Sequence, residues 1–433
     1  MHARSLLEDL HRAGVAAVEP RAAVLAHCEG TGERLRIDDR DWDLSSLERV
    51  VVVGAGKASA PMVAALEELL GDRIDAGLVV VKDGHTEQLR HTEQREASHP
   101  VPDQRSVAAA QDMLALLADC GERDLVINCL SGGASALLTA PRAPMDLAAL
   151  QALTDALLAS GADIHALNCL RRHCSRIKGG GLARAASPAA LVNLIISDVV
   201  GDELSSIGSG PGVGDPTSLA DARALYERHL SDRDLPESIA QVLADPSSET
   251  PTPEDPLFER VQNCLVATNA QAQAAVRHVA RERDLLVQDW PQAVAGDALD
   301  FAADFVTRAR ALQEAGRQPA VLLAGGEPVL HLSADPGRGG RAQAFALAAA
   351  RALQGTQGIT VLGAGTDGSD GPTDACGALA DGATWAAARA AGFDPQHHLD
   401  HDDAYPLLDA IGKLYRTGPT RTNVMDLYLA LIG

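Results

Sequence analysis

The chain has 433 residues, 46% of them hydrophobic and 22% charged, which is typical of a soluble globular protein with two or three domains. Its net charge of −22 disfavours binding to nucleic acid or to anionic membranes. No apolar run reaches the ~18 residues that cross a bilayer, and no secretory segment opens the chain, so we expect a cytoplasmic protein.

The positions of the cysteines and lysines indicate which of them could bind a metal or an anionic substrate. The seven cysteines form no C-x-x-C pair, so we interpret them as small buried residues rather than metal ligands. Lysine occurs only at Lys57, Lys82, Lys178 and Lys413, and the first and third of these lie in glycine-rich turns. An acidic protein that binds anionic substrates must concentrate its cations at one site. Lys57 and Lys178 are therefore candidates for that site.

Short apolar runs alternate with alanine- and leucine-rich helical stretches along the chain. The predicted strands are 50–53, 78–81, 125–130, 191–197, 264–268, 321–324, 329–332 and 359–362. The predicted helices include 60–70, 106–118 and 342–353. Several strand runs are continuously apolar, as in strands that are buried on both faces. We therefore predict α/β domains with mainly parallel sheets that are covered by helices on both faces.

Two features bear on the domain organisation. The closeness of 321–324 to 329–332 predicts a hairpin, and so a mixed sheet near the C-terminus. The segment 245–256, D-P-S-S-E-T-P-T-P-E-D-P, is too rich in proline and acid to form an element. We predict a boundary there, between domains 1–245 and 257–433. A long surface loop within one domain is the alternative.

Glycine-rich turns follow the predicted strands repeatedly. They include Gly54, Gly56 and Lys57; Ser131, Gly132, Gly133 and Ser135; Gly325, Gly326 and Glu327; and the segment 363–368. Ligands of open α/β sheets bind beyond the carboxyl ends of the strands, where glycine lets the backbone approach them and helix N-termini bind anions. Each turn alone is consistent with an ordinary tight connection. Four together favour a polyanion site.

The first turn allows two interpretations. It reads G-x-G-x-x-S, which is close to a dinucleotide fingerprint, and Asp83 would be the ribose partner of an NAD(P)H-dependent reductase. However, Ser59 replaces the third glycine, and Lys57 brings a cation into the phosphate space. The spacing is not that of a Walker A motif either.

Clustered cations and strand-end carboxylates supply further candidates. The segment 171–178 holds four cations, ends in a triple glycine, and on a helix would place residues 172 and 176 on one face. It is either a ligand site or a solvated basic face. Arg338 and Arg341 carry the planar fork that suits carboxylate or phosphate. Asp198 and Asp367 follow strands, where a kinase holds Mg²⁺ or activates a hydroxyl.

Three neighbouring polar residues have simpler explanations. Asp370 and Asp374 lie among turn formers, so both are consistent with turns or helix caps. His99 lies in a proline-bracketed loop, S-H-P-V-P-D, where a structural hydrogen bond is the more common role of a histidine.

Taken together, these segments resemble the glycerate 2-kinase family, in which an N-terminal kinase domain is followed by a MOFRL domain. The blocks that carry the resemblance are VVVGAGKASAPM, SHPVPD, SGGASALL, NCLRRHCSRIKGG, SDVVGDELSSIGSGP, GDPTS, LLAGGEPV, GRGGRAQAFAL, GAGTDGSDGPTDACGA and TGPTRTNVMDL. The resemblance implies transfer of the ATP γ-phosphoryl group to the 2-hydroxyl of D-glycerate, with Mg²⁺. It also implies two three-layer α/β/α domains, the first with a Rossmann-like sheet and the second with a mixed sheet.

The resemblance also suggests roles for particular residues. Lys57 and Arg341 match the family's active-site lysine and arginine. We expect Lys57 at the transferring phosphate, Arg341 with Lys178 at the glycerate carboxylate or the phosphates, and Asp198 and Asp367 as Mg²⁺ or hydroxyl partners. The remaining predicted residues line the substrate and nucleotide pocket: Gly54, Gly56, Ser131, Gly132, Gly133, Ser135, Gly325, Gly326, Glu327 and Arg338. A homodimer is left open.

Two departures from the family pattern matter. Gly181 stands where the family commonly has arginine, and Pro328 where it commonly has threonine. Arg184 is a candidate replacement for the missing arginine. The alternatives to the kinase are an NAD(P)H-dependent hydroxypyruvate reductase and a binding protein that has lost its chemistry.

Overall fold

A computed structural model of the protein describes residues 3–433, which contain fifteen β-strands and sixteen α-helices. The strands are β1 Cys28–Thr31, β2 Arg34–Ile37, β3 Arg40–Asp43, β4 Arg49–Ala55, β5 Ala76–Lys82, β6 Glu93–Ala97, β7 Asp124–Leu130, β8 Ala190–Ile196, β9 Val261–Ala267, β10 Leu286–Asp289, β11 Ala320–Gly326, β12 Ile359–Gly365, β13 Gly377–Asp381, β14 Leu414–Tyr415 and β15 Asp426–Ile432. The helices are α1 Ala3–Ala16, α2 Pro20–His27, α3 Ser59–Leu70, α4 Gln104–Ala118, α5 Ala134–Leu137, α6 Leu147–Ala159, α7 Ile164–His173, α8 Gly181–Ala186, α9 Leu219–Leu230, α10 Glu237–Ala244, α11 Asn269–Glu282, α12 Ala298–Glu314, α13 Arg341–Ala352, α14 Thr384–Ala390, α15 Pro395–Asp400 and α16 Ala404–Ala410.

The chain packs as two compact units. The N-terminal unit comprises Pro20–Ser197 and Asp202–Val266. The C-terminal unit comprises the described part of Met1–Glu19, the short loop Asp198–Gly201, and Ala267–Gly433. The segment 245–256 therefore lies inside the N-terminal unit, where it forms short 3₁₀ turns instead of a linker. These limits describe packing, and the domain limits 1–245 and 257–433 remain a prediction.

The sheet of the N-terminal unit has the strand order β6-β5-β4-β7-β8-β9. Counted from β4, this is the order 3-2-1-4-5-6 of the dinucleotide-binding folds, and the strand order reverses between β4 and β7. The pairs from β6 to β8 are all parallel. Every residue of β7 and β8 is buried, as their continuous apolar sequences predict. A small antiparallel sheet of β1, β2 and β3 precedes it.

The sheet of the C-terminal unit has the order β10-β11-β15-β12-β13-β14 and is mixed. Its one parallel pair is β10 with β11, whereas β15 pairs antiparallel with both β11 and β12. Aromatic packing between Phe301, Phe305, Phe345 and Tyr428 fills the core on one face. The predicted fold class, two α/β/α domains with a mainly parallel first sheet and a mixed second sheet, is confirmed.

The predicted hairpin of 321–324 with 329–332 is wrong. Residues 321–324 lie in β11, but 329–332 form no strand, and Val329 and Leu332 are 50% and 65% exposed. The antiparallel partner of β11 is β15, which starts 100 positions beyond Gly326 at Asp426. The mixed character of the sheet therefore comes from a distant strand that the sequence did not identify.

Candidate functional site

A cluster of basic side chains lies at the carboxyl edge of the parallel sheet, beside the point where the strand order reverses. Lys57 follows β4, Lys82 ends β5, and His99 comes two residues after β6. Burial, together with the positive charges of Lys57, Lys82 and His85, lowers the pKa of His99 to about 4. The His99 imidazole is therefore neutral at pH 7, and the surrounding cations create a positive potential there. We call these four residues the basic cluster.

The loop after β7 contributes backbone to this cluster. The Lys57 amide donates to the Gly132 carbonyl at 2.9 Å. Gly133 has a φ of +87°, and a Cβ there would lie 3.0 Å from the His99 ring and 3.4 Å from Lys57 Cγ. Glycine is required because a side chain would fill the space between these two residues. The structure thus brings together Lys57, Gly132 and Gly133 as predicted, and adds Lys82 and His99.

Gly54 and Gly56 are explained by packing between strands. A Cβ on Gly54 would overlap the carbonyl oxygen of Cys129 in β7, and one on Gly56 would overlap the Ser131 hydroxyl. That hydroxyl also accepts a hydrogen bond of 3.0 Å from the Ala58 amide at the start of α3. Glycine at both positions lets β4 lie close to the end of β7. Their role in holding a phosphate stays a prediction.

Asp83, the residue that would bind the ribose of a dinucleotide, is already paired within the protein. The Asp83 carboxylate accepts two hydrogen bonds from the Arg105 guanidinium, at 2.6 and 2.9 Å, and Arg105 lowers the pKa of Asp83. In a dinucleotide site the second glycine of the fingerprint leaves space for the pyrophosphate. Here the space above Gly56 is filled by Ser131. Both observations disfavour a nicotinamide site at this turn.

Lys178 is buried and bonded within the protein. Its ammonium donates to the Ser135 carbonyl at 2.7 Å, the Ser135 hydroxyl at 3.0 Å and the Leu138 carbonyl at 3.4 Å. These contacts account for the three donors of an ammonium group. Burial, reinforced by the nearby charge of Arg171, lowers the pKa of Lys178 to about 7. Lys178 therefore holds helix α5 and its C-cap residue Leu138, and its contact with glycerate or phosphate stays a prediction.

The basic segment 171–178 is not one helical face. Helix α7 ends at His173, so residues 172 and 176 do not share a face of it. Arg172 is buried and pairs with the buried Asp215 at 2.9 Å. It also donates to the Ser205 carbonyl at 3.3 Å and to the Thr217 hydroxyl at 3.2 Å. Arg172 therefore stabilises the fold at this point.

The glycine at position 181 is matched to its surroundings. A Cβ on Gly181 would overlap the carbonyl oxygen of Arg176, so this backbone does not accept the arginine that the family commonly has. The candidate replacement, Arg184, donates to the Glu249 carbonyl at 3.3 Å from both of its terminal nitrogens.

The second cluster lies in the C-terminal unit and centres on Arg341, the first residue of α13. Arg341 donates to both carboxylate oxygens of Asp426, from Nε at 2.6 Å and from Nη2 at 3.0 Å. Its Nη1 pairs with Glu327 at 2.8 Å. Asp426 opens β15, and its register opposite Gly326 and Gly365 places it at the carboxyl ends of β11 and β12. We call Arg341, Asp426 and Glu327 the arginine cluster.

Asp370 fixes the start of α13. Its buried carboxylate accepts from the amides of Ala342 at 3.1 Å and Gln343 at 2.8 Å, so it caps the helix. Burial, with repulsion from Asp426, raises the pKa of Asp370 to about 7. Of the turn and cap roles considered for Asp370, the structure shows a cap.

Carboxylates outnumber cations around Arg341. Burial raises the pKa of Glu327, and the negative charges of Asp426 and Asp198 raise it further, against the effect of Arg341. Asp367 accepts from the Ser369 amide at 2.9 Å and from its hydroxyl at 3.0 Å.

Among residues 3–433, no group of three or more His, Cys, Asp or Glu forms a ready metal site. Mg²⁺ at phosphoryl-transfer sites needs only one or two carboxylates besides the substrate phosphates.

The other predicted residues of this unit have structural partners. A Cβ on Gly325 would overlap the side-chain oxygen of Asn269, and one on Gly326 would overlap the Val294 backbone. The Arg338 guanidinium stacks over the Tyr405 ring, 4.4 Å from its centre. A role for these residues in binding substrate or nucleotide remains a prediction.

Comparisons with known proteins agree with this architecture. Residues 6–244 match a family described as a domain of unknown function, DUF4147, and residues 320–426 match the MOFRL family. A protein of Agrobacterium vitis, provisionally named hydroxypyruvate reductase, is 42% identical over 100% of this chain and 95% of its own. The D-glycerate 2-kinase of Thermotoga maritima is 38% identical over 89% of this chain and 91% of its own. A crystal structure of glycerate kinase from Thermotoga maritima matches with a TM-score of 0.87 at 35% identity, covering 99% of each chain.

Proposed function

Because the chain belongs to the glycerate 2-kinase family, we propose that it transfers the γ-phosphoryl group of ATP to the 2-hydroxyl of D-glycerate. The products are 2-phosphoglycerate and ADP. The observation that carries the proposal is the basic cluster, which concentrates Lys57, Lys82 and two histidines at one sheet edge of a protein whose net charge is −22. In phosphoryl transfer, the protein's main task is to position the reactants and to neutralise charge as it develops.

Lys57 is the residue that we assign to the transferring phosphate. It follows the first strand of the sheet, at the edge where ligands of such folds bind. The neutral imidazole of His99 and the backbone of Gly133 pack beside it and restrict the space that its side chain can occupy. A restricted cation is poised to stabilise negative charge without reorganising during the reaction.

Arg341 is the residue that we assign to the glycerate carboxylate. A guanidinium has five N–H donors, and the hydrogen bonds to Asp426 use two of them, on Nε and Nη2. The donors left on Nη2 and on Nη1, which pairs with Glu327, form the terminal edge of the fork, whose geometry matches the two oxygens of a carboxylate.

Mg²⁺ is the metal that the reaction needs. The carboxylates of Asp198 and Asp367 offer the oxygen donors that suit a hard cation, and the charge of Asp198 acts on Glu327, whose pKa is raised mainly by burial. When bound, Mg²⁺ neutralises the β- and γ-phosphates. The carboxylates of this chain would hold the ion, and Arg341 would balance those that remain.

The test identifies the product directly. We expect the purified protein, with ATP, Mg²⁺ and D-glycerate, to support NADH oxidation when it is coupled to enolase, pyruvate kinase and lactate dehydrogenase. Enolase accepts 2-phosphoglycerate but not 3-phosphoglycerate, so the rate should not depend on added phosphoglycerate mutase. A signal that appears only with mutase would mean phosphorylation of the 3-hydroxyl and would overturn the assignment.

A matched pair of variants tests the role of Lys57. We expect Lys57→Ala to lower kcat/KM by at least about a hundredfold, because a charge contact to the transferring group is lost. Lys413→Ala is the control, since Lys413 pairs with Asp381 at 2.7 Å and takes no part in either cluster. Near-normal turnover of Lys57→Ala would show that the basic cluster does not carry the reaction.

Hydroxypyruvate reduction is the alternative, and the name of the Agrobacterium vitis relative favours it. The pairing of Asp83 with Arg105 and the filled space above Gly56 argue against a nicotinamide site. Mixing the protein with NADH and hydroxypyruvate, without ATP, decides between them. Oxidation of NADH at a rate that exceeds the kinase rate would replace the kinase with the reductase.

Cellular location and assembly remain predictions. Within residues 3–433, none of the helices has the length and apolar character needed to cross a membrane. A cytoplasmic location is proposed from the sequence, and fractionation of cells tests it. The homodimer remains open, and light scattering of the purified protein answers that question.

A further inference from the structure

The arginine cluster has a feature that the proposed roles leave unused. Asp426 binds the side of the Arg341 guanidinium with both oxygens, at 2.6 and 3.0 Å, and so fixes the plane of the fork. We infer that Asp426 is the positioning residue that aims the terminal edge of Arg341 at the carboxylate of the substrate. The inference rests on the proposed function and deepens it.

The carboxylate of Asp426 is held from several directions. Its side chain is only 4% exposed, and the Tyr428 hydroxyl donates to Oδ2 at 2.9 Å. Its backbone pairs with Gly326 in β11 and with Gly365 in β12. The Asn269 amide donates to its carbonyl oxygen at 3.0 Å. Asp426 is therefore a rigid reference point, which a positioning residue must be.

Arg341 is held at its backbone as well. It is the first residue of α13, and Asp370 accepts from the amides of the next two residues. The backbone is thus pinned by Asp370 and the guanidinium by Asp426, which leaves the side chain little rotational freedom. Pre-ordering a side chain in this way removes an entropy cost that binding would otherwise carry.

Glu327 does not supply the same constraint. It contacts a single nitrogen, Nη1, and its side chain is 41% exposed. One contact lets the guanidinium pivot, whereas a two-point contact fixes its plane. Without Asp426, the fork would turn towards Glu327 and present fewer donors to the substrate. Removing the Asp426 carboxylate should therefore lower kcat/KM for glycerate, and it should do so only when Arg341 is present.

The experiment is a double-mutant cycle with Asp426→Asn, Arg341→Ala and the double variant, with kcat/KM for D-glycerate measured at saturating ATP. Asn keeps the shape but replaces one acceptor oxygen with a donor. We expect Asp426→Asn alone to lower kcat/KM by at least about tenfold, and to lower it by less than about twofold in the Arg341→Ala background. Thermal unfolding of each variant checks that the fold is retained.

Two further variants keep the test decisive if Asp426→Asn does not fold. Tyr428→Phe removes only the hydroxyl that donates to Asp426, and we expect a loss of about two- to fivefold that also disappears in the Arg341→Ala background. Asp381→Asn, which removes the partner of Lys413 in the same unit, should leave kcat/KM for glycerate unchanged.

The outcomes separate the two proposals. Equal losses from Asp426→Asn in both backgrounds, or a fully active Asp426→Asn enzyme, would refute positioning while the kinase assignment stands. Non-additive losses support positioning. A wild-type protein without kinase activity would refute the proposed function, and this inference would fall with it.

Discussion

Replacing Asp370 with asparagine tests whether a buried, protonated carboxyl caps α13. In the folded protein the pKa of Asp370 is raised from 3.8 to about 7, mainly by burial. Because the fold binds this proton more tightly than the unfolded chain does, protonation stabilises the fold below about pH 4, and that stabilisation is lost as the pH rises through 7. Between about pH 5 and pH 8, the titration of this one group should lower the free energy of unfolding by about 2–3 kcal/mol.

Asparagine does not titrate, so the variant should lack this pH dependence. It should be less stable than the wild type at pH 5, because the NH2 group of asparagine faces one of the two amides and cannot accept from it, whereas the hydroxyl oxygen of the protonated carboxyl can. The difference between the two proteins should shrink or reverse by pH 8. Urea unfolding at four pH values, followed by circular dichroism, measures it. Asp374→Asn is the control, since Asp374 lies in the same loop but is exposed.

A stability difference that stayed constant from pH 5 to pH 8 would refute the reasoning. It would mean that Asp370 is ionised in the fold throughout this range, and that the helix N-terminus stabilises its charge more strongly than burial opposes it. The Asp370→Asn substitution would then lower the free energy of unfolding by the same amount at every pH.

Three further predictions follow from the geometry. Gly181→Arg should lower the free energy of unfolding by about 2 kcal/mol or more in urea titrations, because the new Cβ overlaps the Arg176 carbonyl. Unchanged stability of this variant, which carries the residue common in the family, would contradict the prediction. Arg172→Leu should cost about 3 kcal/mol in the same assay, because Asp215 stays buried without its arginine and keeps only the hydrogen bonds from Thr217 and Thr250, and the loss should shrink when Asp215→Leu is added. Excess EDTA should abolish kinase turnover and added Mg²⁺ should restore it, whereas full activity in metal-free buffer would remove the metal role of Asp198 and Asp367.

The elements that the sequence predicted well are those buried on both faces. Strands β4, β7, β8 and β12 are mainly apolar runs, and such runs identify a buried strand without further information. The segment 329–332 has a similar composition but fails, because Val329 and Leu332 meet solvent instead of a second layer. Composition alone does not reveal whether a partner layer is present.

The candidate site draws on residues that the sequence points to and on one that it does not. Lys57 and Arg341 are predicted from the sequence, whereas Asp426 has no predicted role, although it lies in the block TGPTRTNVMDL. It is 85 residues from Arg341 in the chain, and it reaches the arginine only because β15 inserts antiparallel between β11 and β12. The sequence contains no local signal for that insertion. Strand order is set by the packing of the whole unit.

The sequence predicts that the glycine-rich turns approach a ligand, whereas the structure gives several of these glycines a packing role. Gly54, Gly56 and Gly325 are needed because neighbouring atoms of the protein occupy the space that a side chain would take. A turn that approaches a ligand and a turn that approaches another strand need the same residue. The sequence does not distinguish the two cases.

Helix α1 gives the chain an unusual order of assembly during synthesis. It is made before all three of the elements that it packs against, α11, β12 and β15 of the C-terminal unit, and Leu7, Leu10 and His11 are fully buried. The ribosome must therefore add more than two hundred residues before the first partner of α1 exists, and nearly the whole chain before β15 does. Until then the apolar face of α1 lacks these partners, and uncovered apolar surface of this kind promotes aggregation.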